Sequence, residues 1–549
     1  MPRTESHSSS RGTSPTLFQP TDTEPGVLEA GGKNLDKYQN EKVREEDEVS
    51  KTSKQEPTGN ASIESANNET SSHAGSSETD SEFVVWWEEP ADQDPANPMN
   101  WPMSKKWLNV LSMSGISFLV PLASSMFAPG IPQVMEDFNT TSSTFATFVV
   151  SIFVLGFAFG PLLLAPLSEM FGRVIIYNVT NILFLVFTIL CAVAQSPSML
   201  LAFRFLSGFA GVATITCGSG TIADIMPREK RGLAMSIWSV GPILGPMVGP
   251  IAGGYLTEGA GWRWVFWVIA IAIGCMSLFA FVVMKETYAV TILERKAKAL
   301  RKSTGNSAYR SKLASKLSNK ELMRISIVRP LKMLIFCPIV TAMCSYIAIM
   351  YGLLYILFTT FTFIFEDVYG FSTSAAGLAF IGSGIGTLCG LAYVAILSDK
   401  TIKMRAAKGK TITPEDRLPL IITVPGSLAL PIGFLIYGWA AEKHAHWIVA
   451  QLGTLIIGFG SIAILMSIQT YLVDAFTQYA ASVIAANAVM RSLLGALLPL
   501  CGLDMYDALG WGWGNTLLGF VALAFAPLPW VFGWYGDRIR NSKRGQIKL

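Results

Sequence analysis

The residues best suited to chemistry in this 549-residue chain are charges at the ends of long apolar runs or inside them. Glu169 and Arg173 flank Gly172 in a short turn, where glycine lets two helices meet closely and the two charges can pair. Arg204 lies inside an apolar run, where a guanidinium costs at least a few kcal/mol unless it faces a bundle interior or a wet cavity. Two plainer interpretations stay open: a surface ion pair at the turn, and snorkelling of Arg204 to the interface.

Acidic residues mark matching places in the two halves of the chain. Asp224 ends the fourth apolar run and Asp474 ends the tenth. Similar tripeptides, ending at Glu169 and Asp399, follow the second and eighth runs, although matches this short also arise by chance. The pattern predicts two parallel structural repeats, the plan of a rocking-bundle transporter. Arg491, in the eleventh run, either faces inward or snorkels, and no Asp or Glu lies deep in any run, so no proton carrier can be named.

The fifth apolar run carries glycines and prolines at a regular spacing of four residues. The glycines share one helix face and permit close helix packing. The prolines remove backbone donors in succession and are expected to bend the helix. A packing seam explains the glycines but not the three prolines. The residues are Gly241, Pro242, Gly245, Pro246, Gly249, Pro250 and Gly253.

Aromatic and uncharged polar residues within the runs are candidates for lining a substrate cavity. A wide aromatic cavity with few polar groups suits amphipathic compounds. The alternative is that these side chains face a neighbouring helix or lipid. The candidates are Trp238, Tyr351, Tyr355, Gln469 and Asn487.

Composition excludes several classes of protein. The chain is 51% hydrophobic and only 15% charged, whereas soluble domains carry roughly 25% charged residues. A nucleic-acid partner is not expected, because the basic residues stand in short blocks between apolar runs. None of the seven cysteines forms a CxxC pair, and the four histidines lie outside the runs, so we expect no metal site, no cofactor and no enzyme activity.

The apolar runs form two groups of six, each run long enough to cross a bilayer as a helix. The predicted fold is therefore an all-α membrane protein with twelve spans in two six-helix pseudo-repeats. The expected parts are a disordered acidic tail (1–82), an amphipathic pre-membrane segment (83–106), a first bundle (107–284), a basic linker (285–337), a second bundle (338–535) and a short tail (536–549).

The distribution of charge between loops predicts the orientation. Basic residues concentrate in the linker and in the loops on its side, so both termini and the linker are expected to be cytosolic. Asn139 begins an Asn-Thr-Thr sequon in an outer loop and is the glycosylation candidate. Residues 291–302 alternate apolar and basic positions in a pattern typical of a helix on an anionic membrane surface, or else of a solvated linker.

Several of these segments together resemble the major facilitator superfamily, specifically its fungal twelve-span drug:proton antiporters. Residues 160–177 resemble the family's motif A, 200–208 its motif B, and 241–254 the motif C associated with antiporters. The segment 94–101, the tripeptide Glu286-Thr287-Tyr288, the stretch 414–419, and the run 471–474 with Arg491 also resemble family signatures. Val174 departs from motif A, which usually has a basic residue there.

The resemblance implies a mechanism for these positions. Asp224 is expected to pair with Arg173 and Glu169 and to hold span 2 against spans 4 and 11; Arg204 is implied in proton transfer. The implied protein is a monomeric plasma-membrane exporter of amphipathic compounds, driven by the proton gradient and needing no cofactor, with a small-molecule substrate and the lipid bilayer as partners. Polyamine or nutrient transport, or a non-transporting sensor on the same scaffold, are the alternatives.

Overall fold

In the computed structural model, the structure describes residues 83–314, 318–409 and 413–540. The predicted acidic tail (1–82) and most of the predicted C-terminal tail lie outside the described residues. The described chain is almost entirely helical, as expected where a bilayer offers no hydrogen bonds to the backbone. Eleven helical segments are long and apolar enough to cross a membrane. The last of them, 61 residues long, holds two spans, because Gly510 breaks it with non-helical backbone angles.

The predicted count of twelve spans is therefore confirmed. Several spans consist of two consecutive helices. The helices of spans 1 to 12 are Met103–Ser125 (1), Ser143–Phe171 (2), Arg173–Ala192 (3), Pro197–Gly211 and Ala213–Ile225 (4), Arg228–Ala260 (5), Trp262–Val283 (6), Pro338–Phe363 (7), Thr373–Leu378 and Phe380–Ala407 (8), Leu420–Glu442 (9), Trp447–Ala475 (10), Ala480–Leu497 followed by the start of Gly502–Phe525 (11), and the remainder of that helix with Leu528–Arg540 (12).

Shorter elements connect the spans. A helix at Ile131–Asp137 follows span 1, and two linker helices, Ala289–Thr304 and Asn319–Phe336, lie between spans 6 and 7. Single helical turns occupy Pro98–Asn100, Ala128–Gly130, Ile364–Val368, Pro414–Arg417, Thr477–Tyr479 and Leu498–Cys501. Two short strands, β1 (Val84–Val85) and β2 (Arg310–Ser311), pair in parallel.

The pre-membrane segment packs against the linker. Beside the β1–β2 pair, Phe83 meets Tyr309 edge to face at 5.4 Å between ring centroids. Glu88 forms an ion pair with Lys296 of the first linker helix at 2.9 Å. Asp94 accepts hydrogen bonds from the backbone N–H groups of Glu88 and Ala96, both at 2.8 Å. Burial acts to raise the pKa of Asp94, but these two donors, helped by Lys296, outweigh it and lower the pKa.

The first linker helix buries part of its apolar stripe against protein. Leu293 and Ala297, on that stripe, are fully buried. The helix contacts β2, β1 and span 2, so protein covers the face. Ile292 and Leu300 of the same stripe are only half-buried, so the hypothesis of a helix lying on an anionic membrane surface stays a prediction. An amphipathic pattern indicates an apolar helix face that must be buried, but it does not indicate whether protein or lipid buries it.

Because the number of spans is even, the described chain begins and ends on the side of the membrane that carries the linker. We call this the linker side and the opposite side the loop side. Hydrogen bonds between the described residues of the two bundles all lie in the loop-side half. They join Ser143 Oγ to Asp504 Oδ1 (2.7 Å), Ser151 Oγ to the Ala496 carbonyl (2.9 Å), and the Ser374 N–H to Glu258 Oε2 (2.8 Å). The bundles are thus tied together at the loop side.

Candidate functional site

Arg173 and Asp224 meet at the linker end of the first bundle. Arg173 Nε lies 3.4 Å from Asp224 Oδ2, and the two side chains are only 9% and 21% exposed. A second nitrogen, Nη1, donates to Ser168 Oγ at 2.7 Å. A Cβ at Gly220 would lie 2.8 Å from Arg173 Nη2, so the missing side chain lets the guanidinium rest on span 4. The predicted Arg173–Asp224 contact is present and joins the start of span 3 to the end of span 4.

Glu286 completes this cluster. Its Oε1 accepts backbone N–H groups from Arg173 at 2.9 Å and from Thr287 and Tyr288 at 3.1 Å each. The carboxylate therefore caps the N-terminus of span 3, where helix N–H groups lack intrahelical partners and the helix dipole favours negative charge. Gly172, with φ +104°, stands directly against it, and a Cβ there would overlap Glu286 Oε2.

Tyr288 covers the pair from the linker. Its ring lies 4.9 Å from the Arg173 guanidinium carbon. Burial raises the pKa of Tyr288, and the nearby Glu169 carboxylate adds to the effect. The phenol therefore stays neutral beside the ion pair.

Glu169 is not a full member of the pair. It is half-buried near Arg173, but among the described residues it forms no ion pair within 4.0 Å. The structure also shows no hydrogen bond or ion pair, in the part it describes, from Asp224 to span 11. The expected cluster of Glu169, Arg173 and Asp224 is thus an Arg173–Asp224 pair capped by Glu286. The tripeptide 286–288 resembles a family signature, but its sequence alone does not indicate this capping role.

The second bundle repeats the plan. Arg417 Nε lies 2.6 Å from Asp474 Oδ2, with side chains 30% and 38% exposed. Arg417 lies just before span 9, the third span of the second bundle, and Asp474 lies at the end of span 10, the fourth. The arginine and aspartate of the first bundle hold the same places at spans 3 and 4. Asp474 is one of the predicted site residues, whereas its partner Arg417 is not, although it lies in the 414–419 segment that resembles a family signature. Asp399, the other predicted match, is exposed.

Arg204 is buried in the first bundle, only 1% exposed, so the snorkelling interpretation is wrong. Its Nε donates to the Val149 carbonyl at 2.8 Å, Nη1 to Ala123 at 3.1 Å and Nη2 to Ser124 at 3.0 Å. Ala123 and Ser124 belong to the last turn of span 1, whose carbonyls lack intrahelical partners.

Three aromatic rings complete the surroundings of this guanidinium. Phe127 and Phe153 lie 5.1 Å from its carbon and Phe266 lies at 5.8 Å, distances typical of cation–π contacts. Arg204 thus ties spans 1, 2, 4 and 6 together through backbone carbonyls and rings. Its implied part in proton transfer stays a prediction.

The glycines of span 5 pack against the backbone of span 1. A Cβ at Gly241 or Gly245 would come within 2.9 Å of span 1 backbone atoms, and one at Gly249 or Gly253 would overlap Ser125 or Met126. The helix remains continuous from Arg228 to Ala260 although it contains Pro242, Pro246 and Pro250. The Pro250 carbonyl faces Gly377 of span 8, so this helix also borders the second bundle.

Three of the five predicted cavity residues lie near Arg491, and the other two lie elsewhere. Tyr351 and Tyr355 lie ring to ring at 5.0 Å, and the Arg491 guanidinium lies 4.8 Å from the Tyr351 ring. Asn487, 3% exposed, precedes Arg491 by one turn of span 11.

Trp238 and Gln469 lie elsewhere. The Trp238 indole donates to Ser117 Oγ at 3.0 Å and packs over Gly218, so it is held inside the first bundle. Gln469 is half-buried in span 10 and makes no hydrogen bond to a described residue. The glycosylation candidate Asn139 is exposed at the loop side in a left-handed turn, φ 49°.

Twelve spans in two bundles, each closed at its linker end by an Arg–Asp pair, define a membrane transporter. The family model described as Major Facilitator Superfamily matches residues 113–499, and the chain belongs to that superfamily.

Comparison with curated proteins confirms the resemblance to fungal efflux transporters of this superfamily. The chain is 48% identical over 469 residues to "Efflux pump radE" of Floropilus chiversii, covering 85% of this chain and 86% of that protein. It is 49% identical over 464 residues to "MFS-type transporter penM" of Penicillium rubens, covering 84% and 91%.

Solved structures share the fold. The xylose transporter XylE from E. coli, in a partially occluded inward-open conformation, aligns with a TM-score of 0.59 at 17% identity, covering 78% of this chain and 98% of that one. A bacterial homologue of the human lysosomal transporter Spinster, inward-facing and unoccupied, aligns with a TM-score of 0.56 at 15% identity, covering 80% and 98%. At these identities the likeness concerns the fold alone.

Proposed function

We propose that this transporter is a proton-coupled exporter that moves amphipathic organic compounds out of the cell by alternating access. The observation that carries the proposal is the contact between the glycine stripe of span 5 and the backbone of span 1. Small residues let two helix backbones approach closely, and this contact is proposed to be where spans 1 and 5 shift against each other during alternating access. The efflux pump named among the relatives supports the direction of transport.

Proton coupling is proposed to run through the linker-end acids. No Asp or Glu lies deep in a span, so the groups able to exchange a proton with the linker-side solution are those at the span ends. Asp224 is the best placed of them, because its mostly buried carboxylate is balanced by Arg173. Protonation of Asp224 would weaken this pair, and deprotonation would restore it.

The remaining features follow the same proposal. The transporter acts as a monomer in the plasma membrane with both termini cytosolic, an orientation that the basic residues on the linker side favour. Asn139 is then on the extracellular surface, where it is proposed to carry a glycan. Loss of gel mobility shift after glycosidase treatment in an Asn139→Gln variant tests the last point.

Reconstitution into liposomes tests the transport proposal. Purified full-length protein is expected to move an amphipathic fluorescent dye against its concentration gradient when a pH difference is imposed, and to stop when a protonophore collapses that difference. Gly249→Ala is expected to slow this transport at least tenfold, because its Cβ would overlap Ser125. Gly232→Ala on the same helix is the matched control, since a Cβ there meets nothing within 4 Å.

Two outcomes contradict the proposal. Dye movement that is unchanged by the protonophore would show that transport is not coupled to protons. No movement of any dye by wild-type protein that elutes as a single species would favour the non-transporting sensor instead.

A further inference from the structure

The two arginines inside the spans have opposite surroundings. Arg204 donates from all three of its nitrogens to backbone carbonyls and is 1% exposed, so it is not accessible to a ligand. Arg491 makes no hydrogen bond or ion pair with any described residue. Its Nε is buried without a hydrogen-bond partner, although the side chain as a whole is only half-buried. Its single neighbour of note is the face of the Tyr351 ring.

Among the described residues, no acidic side chain forms an ion pair with Arg491. Span 7 contains no charged residue, and Arg491 is the single charge in the helix 480–497. Span 11 also packs against span 2, span 10 and the second linker helix. The acids of those three helices, Glu169, Asp474 and Glu321, lie at their linker ends, where Asp474 pairs with Arg417 and Glu321 with Ser318.

The groups around Arg491 face the seam between the bundles. Tyr351 lies against Gly495, and a Cβ at Gly495 would also stand 3.6 Å from Val154 of span 2. Tyr355 continues the aromatic surface toward Ser124 of span 1. Asn487 Oδ1, one turn from Arg491, is buried and has no hydrogen-bond partner. A cation, an unpaired amide oxygen and two tyrosine rings therefore stand together where alternating access requires the substrate to pass.

A guanidinium within a span that has no acid beside it leaves a positive charge that attracts an anion. We propose that Arg491 is the anchor for an anionic group on the exported compound, a carboxylate or an acidic phenolate or enolate carried by an aromatic body. This proposal rests on the exporter function given above and specifies its substrate class. Arg491 binds the anion, Tyr351 and Tyr355 stack against the aromatic part, and Asn487 Oδ1 accepts a hydrogen bond from a hydroxyl. A polyamine would meet the wrong charge at this site.

A matched pair of probes tests the proposal by binding alone. The affinities of 2-naphthoate and 2-naphthamide, nearly identical in shape but different in charge, are measured by calorimetry on the full chain in detergent at fixed salt. Wild-type protein is expected to bind the acid about 10- to 100-fold more tightly, as for a hydrogen bond to a charged group. Equal affinities overturn the proposal and need no variant to be interpreted.

Variants locate the preference. Arg491→Gln is expected to bind acid and amide equally, and Arg491→Lys to keep part of the preference, because the charge remains but the planar fork is lost. Arg324→Gln, which removes an exposed arginine of the second linker helix, is the control and is expected to match wild type. A full preference for the acid in Arg491→Gln overturns the assignment to Arg491.

The liposome assay separates this proposal from the exporter function. Protein that prefers naphthoate but moves no dye would contradict export and leave the anion site standing. Protein that pumps neutral dye but binds the two probes equally would contradict the anion site alone.

Discussion

The two linker-end ion pairs are built on one plan but differ in burial and in their third partner. Arg173–Asp224 is largely shielded, whereas Arg417–Asp474 is about one-third exposed on each side. Just after span 6 the first bundle has an acid, Glu286, whereas at the end of span 12 the second has a base, Arg540, which lies 3.5 Å from Glu415. The second bundle thus keeps the Arg–Asp pair of the first, but the charged residue near the end of the half's sixth span differs in sign. We expect the first cluster to be the energetically critical one.

The largest difference in stability between the two clusters is expected when the aspartate of each pair is removed. Asp224→Ala leaves Arg173 buried without its counter-charge and is expected to lower the free energy of unfolding by about 3 kcal/mol. Asp474→Ala removes an accessible partner and is expected to cost below about 1 kcal/mol. Denaturant unfolding of the purified protein in detergent measures both, and equal losses would contradict the ranking.

A glycine substitution tests the first cluster through its backbone. Gly172→Ala is expected to cost about 2 kcal/mol, because alanine is strained at φ +104° and its Cβ would overlap Glu286. Gly261→Ala is the control: its backbone angles (φ +89°, ψ 159°) impose a similar strain, but a Cβ there meets nothing within 4 Å. If Gly172→Ala lowers the free energy of unfolding more than the control variant does, the difference measures the contact with Glu286. Equal losses of stability in the two variants would show that backbone strain alone accounts for the effect and that the contact with Glu286 contributes nothing.

The third partners provide a smaller contrast. Glu286→Ala leaves three backbone N–H groups without their acceptor and is expected to cost about 1–2 kcal/mol. Glu415→Ala should change little, since Arg540 keeps its contact with Asp537 at 3.1 Å. Thermal unfolding midpoints of the two variants compare them directly. A larger shift for Glu415→Ala would reverse the proposed order.

Salt gives the smallest and most general test. Raising the salt concentration from 0.1 to 1 M shortens the Debye length from about 10 Å to about 3 Å and screens accessible charges much more than buried ones. The stability difference between wild type and Asp474→Ala is therefore expected to vanish at 1 M salt. The difference for Asp224→Ala is expected to persist, and its disappearance would mean that the first pair is not shielded in solution.

The features that could be predicted from the sequence are those that depend on the periodicity of apolar residues and on the position of charges. Run lengths gave the twelve spans, and the shared place of Asp224 and Asp474 indicated the repeat. The capping role of Glu286 could not be found this way, because it lies 113 residues from Arg173 and no local pattern links them. The surroundings of Arg204 also escaped prediction, since its acceptors are backbone carbonyls that carry no residue-specific signal.

Pairing of β1 with β2 has a consequence for biosynthesis. Val84 and Arg310, which face each other in the sheet, are separated by the whole first bundle. The first strand leaves the ribosome before any span exists, and its partner follows only after span 6 has been made. This pairing can therefore form only once the first six spans have been synthesised, and its formation marks the completion of that half.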